Sequence, residues 1–217
     1  MLISTGDRRA AAKEYAAALA ADSGSFLAHS GLARVAAADG DLDEAIRQLS
    51  AAIAIVPQPD FLARRGDVYT LRAAAGDTKL AKDDYATVEA IASLAGEAAG
   101  VYDRSLALYL ANHGLDATRA IGLAQTELVV RKDVYGYDAA AWTLLAGGRA
   151  PEAETLINQA LAVGTKDAKV LYHAGMIAAA LGTTDQARSF LEQSIALDPS
   201  FDPLQLTRAR ETLAGLH

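Results

Sequence analysis

Residues 134–167 read VYGYDAAAWTLLAGGRAPEAETLINQALAVGTKD, and residues 168–201 read AKVLYHAGMIAAALGTTDQARSFLEQSIALDPSF. Laid one over the other, Gly148 meets Gly182 and Ala153 meets Ala187, both at an offset of 34 residues. In the same frame Ala141 falls opposite Gly175, Leu144 opposite Ala178 and Ala160 opposite Ser194. A fixed period of this length marks a repeat architecture, in which each unit buries its apolar face only against its neighbours.

Outward from this pair the frame continues upstream. From Phe26 it passes through Ala33, Gly40, Ala45, Leu49, Ala52 and Pro57. From Pro59 it passes through Gly66, Tyr69, Gly76, Ala81, Tyr85 and Val88, with about three extra residues (Ala73 to Ala75) expected to lengthen the first helix. A weaker copy runs from Gly100 to Asp133 with one extra residue near Asp116. Within each unit, small residues (Ala33, Gly175; Ala45, Ala153, Ala187) stand where two antiparallel helices approach closely. A larger residue four places on (Leu49, Tyr85, Ile157, Leu191) fills the space between them. Glycine before the second helix (Gly40, Gly76, Gly114, Gly148, Gly182) suits the positive φ of a helix C-terminus. Asp41, Asp77 and Thr183 follow as helix-capping types, and Pro57 and Pro199 end second helices.

This pattern resembles the tetratricopeptide repeat family, on Leu32-Ala33, Ala36, Gly40, Ala45, Leu49, Ala52 and Pro57 in one unit. In the last unit the matching residues are Gly175, Ala178, Gly182, Ala187, Leu191 and Pro199. The stretch from Tyr135-Gly136-Tyr137-Asp138 to His173-Ala174-Gly175-Met176 also resembles large bacterial repeat proteins of undefined role. The resemblance implies an all-α fold, a right-handed superhelical α-solenoid of stacked antiparallel helix pairs with about 12 helices. The expected organisation is one solenoid domain over 1–217. It comprises a partial repeat at 6–24, repeats at 26–58, 59–95, 97–133, 134–167 and 168–201, and a capping helix at 202–217. In the cap, Leu204, Leu213 and Leu216 are expected on the apolar side and Arg208, Arg210 and Glu211 in solvent. The partial repeat, with Gly6, Ala11, Tyr15 and Ala18, leaves an apolar face open. It predicts either further repeats upstream, the chain being the C-terminal part of a longer array, or self-association through the N-terminal helix.

In such repeats the first helices line a concave groove, so the resemblance implies which residues face a partner. The C-terminal half offers Tyr135, Asp138, Trp142 and Leu145, then Lys169, Tyr172, Met176 and Ala179. Trp142, the single tryptophan, would form an apolar shelf with Tyr135, Tyr172 and Met176, or pack between adjacent first helices. The N-terminal half offers Arg34 and Arg104, with Arg64 one place off the groove. These would pair with an acidic peptide or with local acids such as Asp67 and Asp103. The family's carboxylate-clamp subgroup holds Lys and Asn at set places that here carry Ser30, Arg34, Ala63 and Asp67, so no clamp is expected.

Composition agrees with close helix packing and narrows the function classes. Hydrophobic residues make up 52%, about fifty positions are Ala, and aromatics are 6%; that mix argues against a β-sandwich. Twenty Lys and Arg against 27 Asp and Glu give a net charge of −7, evenly spread, which argues against nucleic-acid binding. With no cysteine there is no disulfide, thiolate metal site or Cys nucleophile. His29, His113, His173 and His217 lie in separate units, with no HxxxH or HExxH pair, no GxSxG and no P-loop. The acidic pairs Asp43-Glu44 and Asp83-Asp84 are expected in first helical turns or on solvated faces. No cofactor, metal or catalytic residue is expected. Neither a signal segment nor a membrane-spanning stretch is read, so the default location is cytoplasmic, or exported if an N-terminal segment has been removed. The function expected is a non-enzymatic scaffold binding a protein or peptide segment. The alternatives are a docking or sensory arm of a larger regulator or enzyme, and a self-assembling structural element.

Overall fold

The structure is a computed structural model and describes residues 7–95 and 103–216. Gly6, Gly100, His217 and the start of the unit expected at 97–133 lie outside the described residues. Among the described residues twelve α-helices and no strands follow in order. They are α1 (Arg8–Ala21), α2 (Phe26–Ala38), α3 (Leu42–Ile55), α4 (Pro59–Arg72), α5 (Asp77–Ala95) and α6 (Asp103–Asn112). After these come α7 (Ala117–Val130), α8 (Val134–Ala146), α9 (Ala150–Leu161), α10 (Ala168–Ala180), α11 (Thr184–Leu197) and α12 (Pro203–Gly215). The fold is an all-α helical repeat array: α2 packs on α3, α6 on α7, α8 on α9 and α10 on α11.

The chain divides into two compact units. One holds the residues through Leu94 together with Asp198–Leu206, and the other holds Ala95–Leu197 with Thr207–His217. In the first unit Ala33, Ala45, Leu49 and Ala52 are buried with Phe61 and Val68. In the second, Ala141, Leu144, Ala153, Ile157, Ala174 and Ile177 form the equivalent core. Burying each of these Leu and Ile side chains stabilises the fold by about 1.5–3 kcal/mol. The small residues set how near the helices come. A Cβ on Gly175 of α10 would lie 2.6 Å from Leu191 Cγ and 3.2 Å from the Leu191 main-chain nitrogen on α11. On Gly66 of α4 it would lie 2.5 Å from the Tyr85 ring on α5. Ser194, opposite Ala160 in the repeat, is buried because its hydroxyl donates to the Ala168 carbonyl at 2.5 Å.

The turns follow the sequence pattern. Gly148 and Gly182 take φ of 74° and 75°, and Gly40, Gly76 and Gly114 share the positive sign. Asp41 caps α3 by accepting from the Glu44 amide at 3.0 Å. One expectation needs correction: Ala73 to Ala75 do not lengthen α4, which ends at Arg72. Ala73 instead takes a left-handed conformation (φ 52°, ψ 30°). The turn is held by buried Asp77, which accepts from the Ala74 amide at 2.8 Å and from two nitrogens of Arg72 at 2.9 and 2.6 Å. A second correction concerns Asp84, which is buried and not solvated. Arg65 of α4 reaches it with a two-pronged pair of bonds at 2.9 and 2.7 Å that compensates its burial. In α12 the buried residues are Gln205, Leu206 and Ala209, with Leu204, Leu213 and Leu216 only half-buried. Arg208, Arg210 and Glu211 are exposed, as the sequence predicts.

Candidate functional site

In the second unit the first helices α6, α8 and α10 pack side by side. Two of the residues singled out from the sequence meet on this face. Trp142 on α8 and Tyr172 on α10 lie with ring centroids 5.5 Å apart. The indole also stacks on His173, at 4.1 Å and 15° between planes. Trp142 Nε1–H donates to Asn112 Oδ1 at the end of α6, 2.7 Å away. Asp138 Oδ1 sits 2.8 Å from His173 Nδ1. With Asp138 accepting there, Nε2 of His173 is buried without a hydrogen-bond partner among the described residues. A polar pair enclosed this way fixes the orientation of both side chains, because each would be costly to leave unpaired.

Exposure separates these residues. Tyr135 is 51% exposed, while Trp142 is 6% and Tyr172 0%. Asp138 is buried, and Leu145 and Met176 are half-buried. Trp142 and Tyr172 therefore contribute a packed aromatic cluster more than an open shelf. Asn112 accepts from the indole nitrogen, His173 stacks on the ring and Tyr172 lies tilted beside it. Tyr135 reaches Asp167 Oδ2 at 3.5 Å, and that carboxylate, then partial burial, raises its phenol above the ordinary value. Met176 Sδ accepts from the Thr212 hydroxyl of α12 at 3.5 Å. His173 and Asn112 were not among the site residues read from the sequence. The only signal for His173 is its place beside Tyr172.

The arginines divide between the units. In the first, Arg34 is ion-paired with Asp198 and its Nε–H donates to the Ser200 carbonyl at 3.2 Å. Arg64 lies 3.1 Å from Asp60 one helical turn away, with its side chain 44% exposed; the Asp60 charge raises the guanidinium pKa further. In the second unit Arg104 donates to Glu127 at 2.8 Å and to Asp133 at 3.1 Å. All three thus engage carboxylates of the chain itself. Asp67, beside the predicted groove, accepts from the Tyr85 hydroxyl at 2.8 Å. Among the described residues there is no cluster of three metal-ligating side chains, and no helix is long and apolar enough to cross a membrane.

A family model for the tetratricopeptide repeat matches residues 2–58 and 139–200. No curated protein matches the sequence. Among solved structures, the APC/C hetero-tetramer Cut9–Hcn1 is similar at 19% identity and a TM-score of 0.53, over 94% of this chain and 40% of that one. The chain therefore spans well under half the length of that relative. PilW, a type IV pilus biogenesis factor, is similar at 20% identity and a TM-score of 0.48, over 94% of this chain and 91% of that one. The TPR2AB domain of yeast Sti1, solved with pHSP90, gives 14% identity and a TM-score of 0.43, over 96% and 91%. At these identities the likeness concerns the fold. Tetratricopeptide repeats commonly mediate protein–protein interaction and are in general non-catalytic.

Proposed function

Because this chain belongs to the tetratricopeptide repeat family, we propose that it is a non-enzymatic scaffold that binds a protein or peptide segment along its first helices. The contact surface is the face of α6, α8 and α10, entered at exposed Tyr135 with half-buried Leu145 and Met176, over the buried Asp138, Trp142 and Tyr172 that pack beneath it. The observation that carries this reading is the cluster itself. The sole tryptophan and Tyr172 pack together from adjacent first helices, and α8 also carries the exposed ring of Tyr135. An exposed ring such as Tyr135, on a helix held by packed aromatics, offers contact area at low entropic cost. Within the first unit, taken by itself, Arg64 is half-exposed beside Asp60 and is the arginine left to meet an acidic side chain, while Arg34 pairs with Asp198 and, in the second unit, Arg104 pairs with Glu127.

A quantitative pull-down tests this reading. Wild-type protein is compared with a Tyr135→Ala, Leu145→Ala double variant that keeps the wild-type circular dichroism. The reading requires a reproducible protein partner that the wild type retains and the variant loses. Retention of the same partner at full level by the folded variant contradicts it.

A second reading rests on α1, where Ala11 is the one residue in the buried class while Ala16, Ala17, Ala18, Ala20 and Ala21 are exposed. Leu27, at the start of α2, is 66% exposed. In this reading copies of the chain associate through the N-terminal helix. Light scattering over a concentration series, repeated with Ala18→Glu, distinguishes self-association from a monomer.

A further inference from the structure

The first helices of the first unit meet a segment from near the other end of the chain. After α11 ends at Leu197, residues Asp198–Leu206 join the first compact unit, and α12 starts within them at Pro203. In a linear repeat array such a segment would touch only its sequence neighbours. Instead Asp198 ion-pairs with Arg34 of α2, 164 residues away, and Arg34 Nε–H donates to the Ser200 carbonyl at 3.2 Å. Arg34 is a groove-side arginine that the sequence offers to an acidic peptide. Here the chain supplies that peptide itself.

The segment is shaped to present its acceptors. Asp198 Oδ1 accepts from the Ser200 amide at 2.9 Å and from the Ser200 hydroxyl at 2.7 Å, while Oδ2 is turned to Arg34. Asp202, a second acid four residues on, accepts from the Gln205 amide at 3.0 Å. Arg64 on α4 stays half-exposed, yet it feels this acid: the charge of Asp60, opposed by burial and reinforced by that of Asp202, raises its pKa. The segment is also firmly held. Asp198 is 3% exposed and Ser200 2%, and Gln205 and Leu206 are buried as well. A carboxylate so enclosed is tolerated because the guanidinium neutralises it, and removing either partner strands a buried charge.

We propose that Asp198–Asp202 is an intramolecular ligand of the first unit. The first-helix face at Arg34 is a receptor for an acidic turn segment, and the chain keeps it closed with its own. The contact is autoinhibitory: an external acidic peptide finds this face filled. Of the two first-helix faces, that of the second unit is left open to a partner.

The test empties the site in the full chain. The variant carries Asp198→Gly, Pro199→Ser, Ser200→Gly, Phe201→Gly and Asp202→Ser, which keeps the span between α11 and α12 and a capping hydroxyl for α12. Hydrogen exchange is followed in the α2 amides, with α9 of the second unit as the internal reference. In the variant α2 should exchange about tenfold faster than in the wild type, because Arg34 has lost its charge-assisted bonds. A tethered ligand acts at an effective concentration of roughly millimolar, so a free peptide of residues 198–203 is added in that range. It should slow α2 exchange about fivefold in the variant and change nothing in the wild type, whose site is filled. The same peptide carrying Asp198→Asn and Asp202→Asn should restore nothing.

Unchanged α2 exchange in the variant, failure of the peptide to restore it, or equal restoration by the Asn peptide overturns the proposal. Should the variant not fold, charge reversal decides. Arg34→Asp and Asp198→Arg should each speed α2 exchange, and together they should return it to within about threefold of the wild type. Additive losses in that double variant overturn the proposal. None of these readouts involves Tyr135 or Leu145, so the second-unit interaction reading stands or falls by its own pull-down.

Discussion

Trp142 and Asn112 are joined by a 2.7 Å hydrogen bond from the indole nitrogen to the amide oxygen, which ties α8 to the end of α6. The indole is buried, so this bond decides whether its one polar atom is satisfied. Replacing Asn112 with Ala removes the acceptor but keeps the main-chain carbonyl that Arg208 uses. We expect a loss of about 1–2 kcal/mol, seen as a lower urea midpoint with a shifted Trp142 emission maximum. An unchanged midpoint would show that the bond adds nothing net to stability.

Gly175→Ala tests the close approach of α10 and α11. The new methyl would stand 2.6 Å from Leu191 Cγ and 3.2 Å from the Leu191 backbone nitrogen, so the helices must separate or Leu191 must change rotamer. The expected cost is about 1–3 kcal/mol. Trimming Leu191 to Ala in the same chain should give a combined loss smaller than the sum of the single losses, because the clash is shared. Thermal unfolding of the four proteins in that cycle measures the coupling.

Ala73→Gly should stabilise the protein. Ala73 is the one described non-glycine residue at positive φ, and a left-handed conformation costs an L-residue roughly 1–2 kcal/mol. Glycine removes that strain while adding some unfolded-state entropy, leaving a net gain of about 0.5–1 kcal/mol by the difference of the two effects. A melting temperature that fails to rise would show that the left-handed turn is not strained. Gly76→Ala, at φ 92°, should act in the opposite direction.

The turn after α4 also sets an acid limb of stability. Hydrogen bonds from Arg72 lower the Asp77 pKa below its ordinary value, outweighing the effect of burial, with the Ala74 amide assisting. A carboxylate whose pKa is depressed on folding stabilises the native state above its unfolded pKa, about 3.9 for Asp. That contribution is lost as pH falls from there through the lower folded value. The denaturation midpoint should therefore be insensitive to Asp77 between about pH 6 and 8 and fall on acidification below about pH 4–5. In Asp77→Asn the fall should be shallower and the neutral-pH midpoint lower. Equal acid slopes in the two proteins would contradict the assignment.

Much of the fold is legible because the repeat is a packing code. The 34-residue offset places Ala153, Ala187, Leu191 and the turn glycines where the helices need small, large and left-handed residues. What periodicity omits is what lies across from a residue. Asp84 looks like half of a solvated acidic pair until Arg65, on the neighbouring helix, is seen to neutralise it. Trp142 and Tyr172 sit on first helices as the pattern implies, yet their burial depends on Asn112 and His173, which no spacing rule connects to them. Likewise α12 reads as a simple amphipathic cap. Its Arg208 contact to the end of α6 is formed 96 residues away along the chain, beyond the reach of any local pattern.

Site-specific photocrosslinking in the native cell tests most directly the claim that the first-helix face binds a protein partner. One chain carries a photoreactive amino acid at Tyr135, on the exposed entrance of α8; a control carries it at Gln159, on the exposed side of the second helix α9. The account predicts a discrete protein adduct from position 135, with none of that adduct from position 159. An adduct from position 159 with none from 135 would contradict it, placing the partner on the opposite helices.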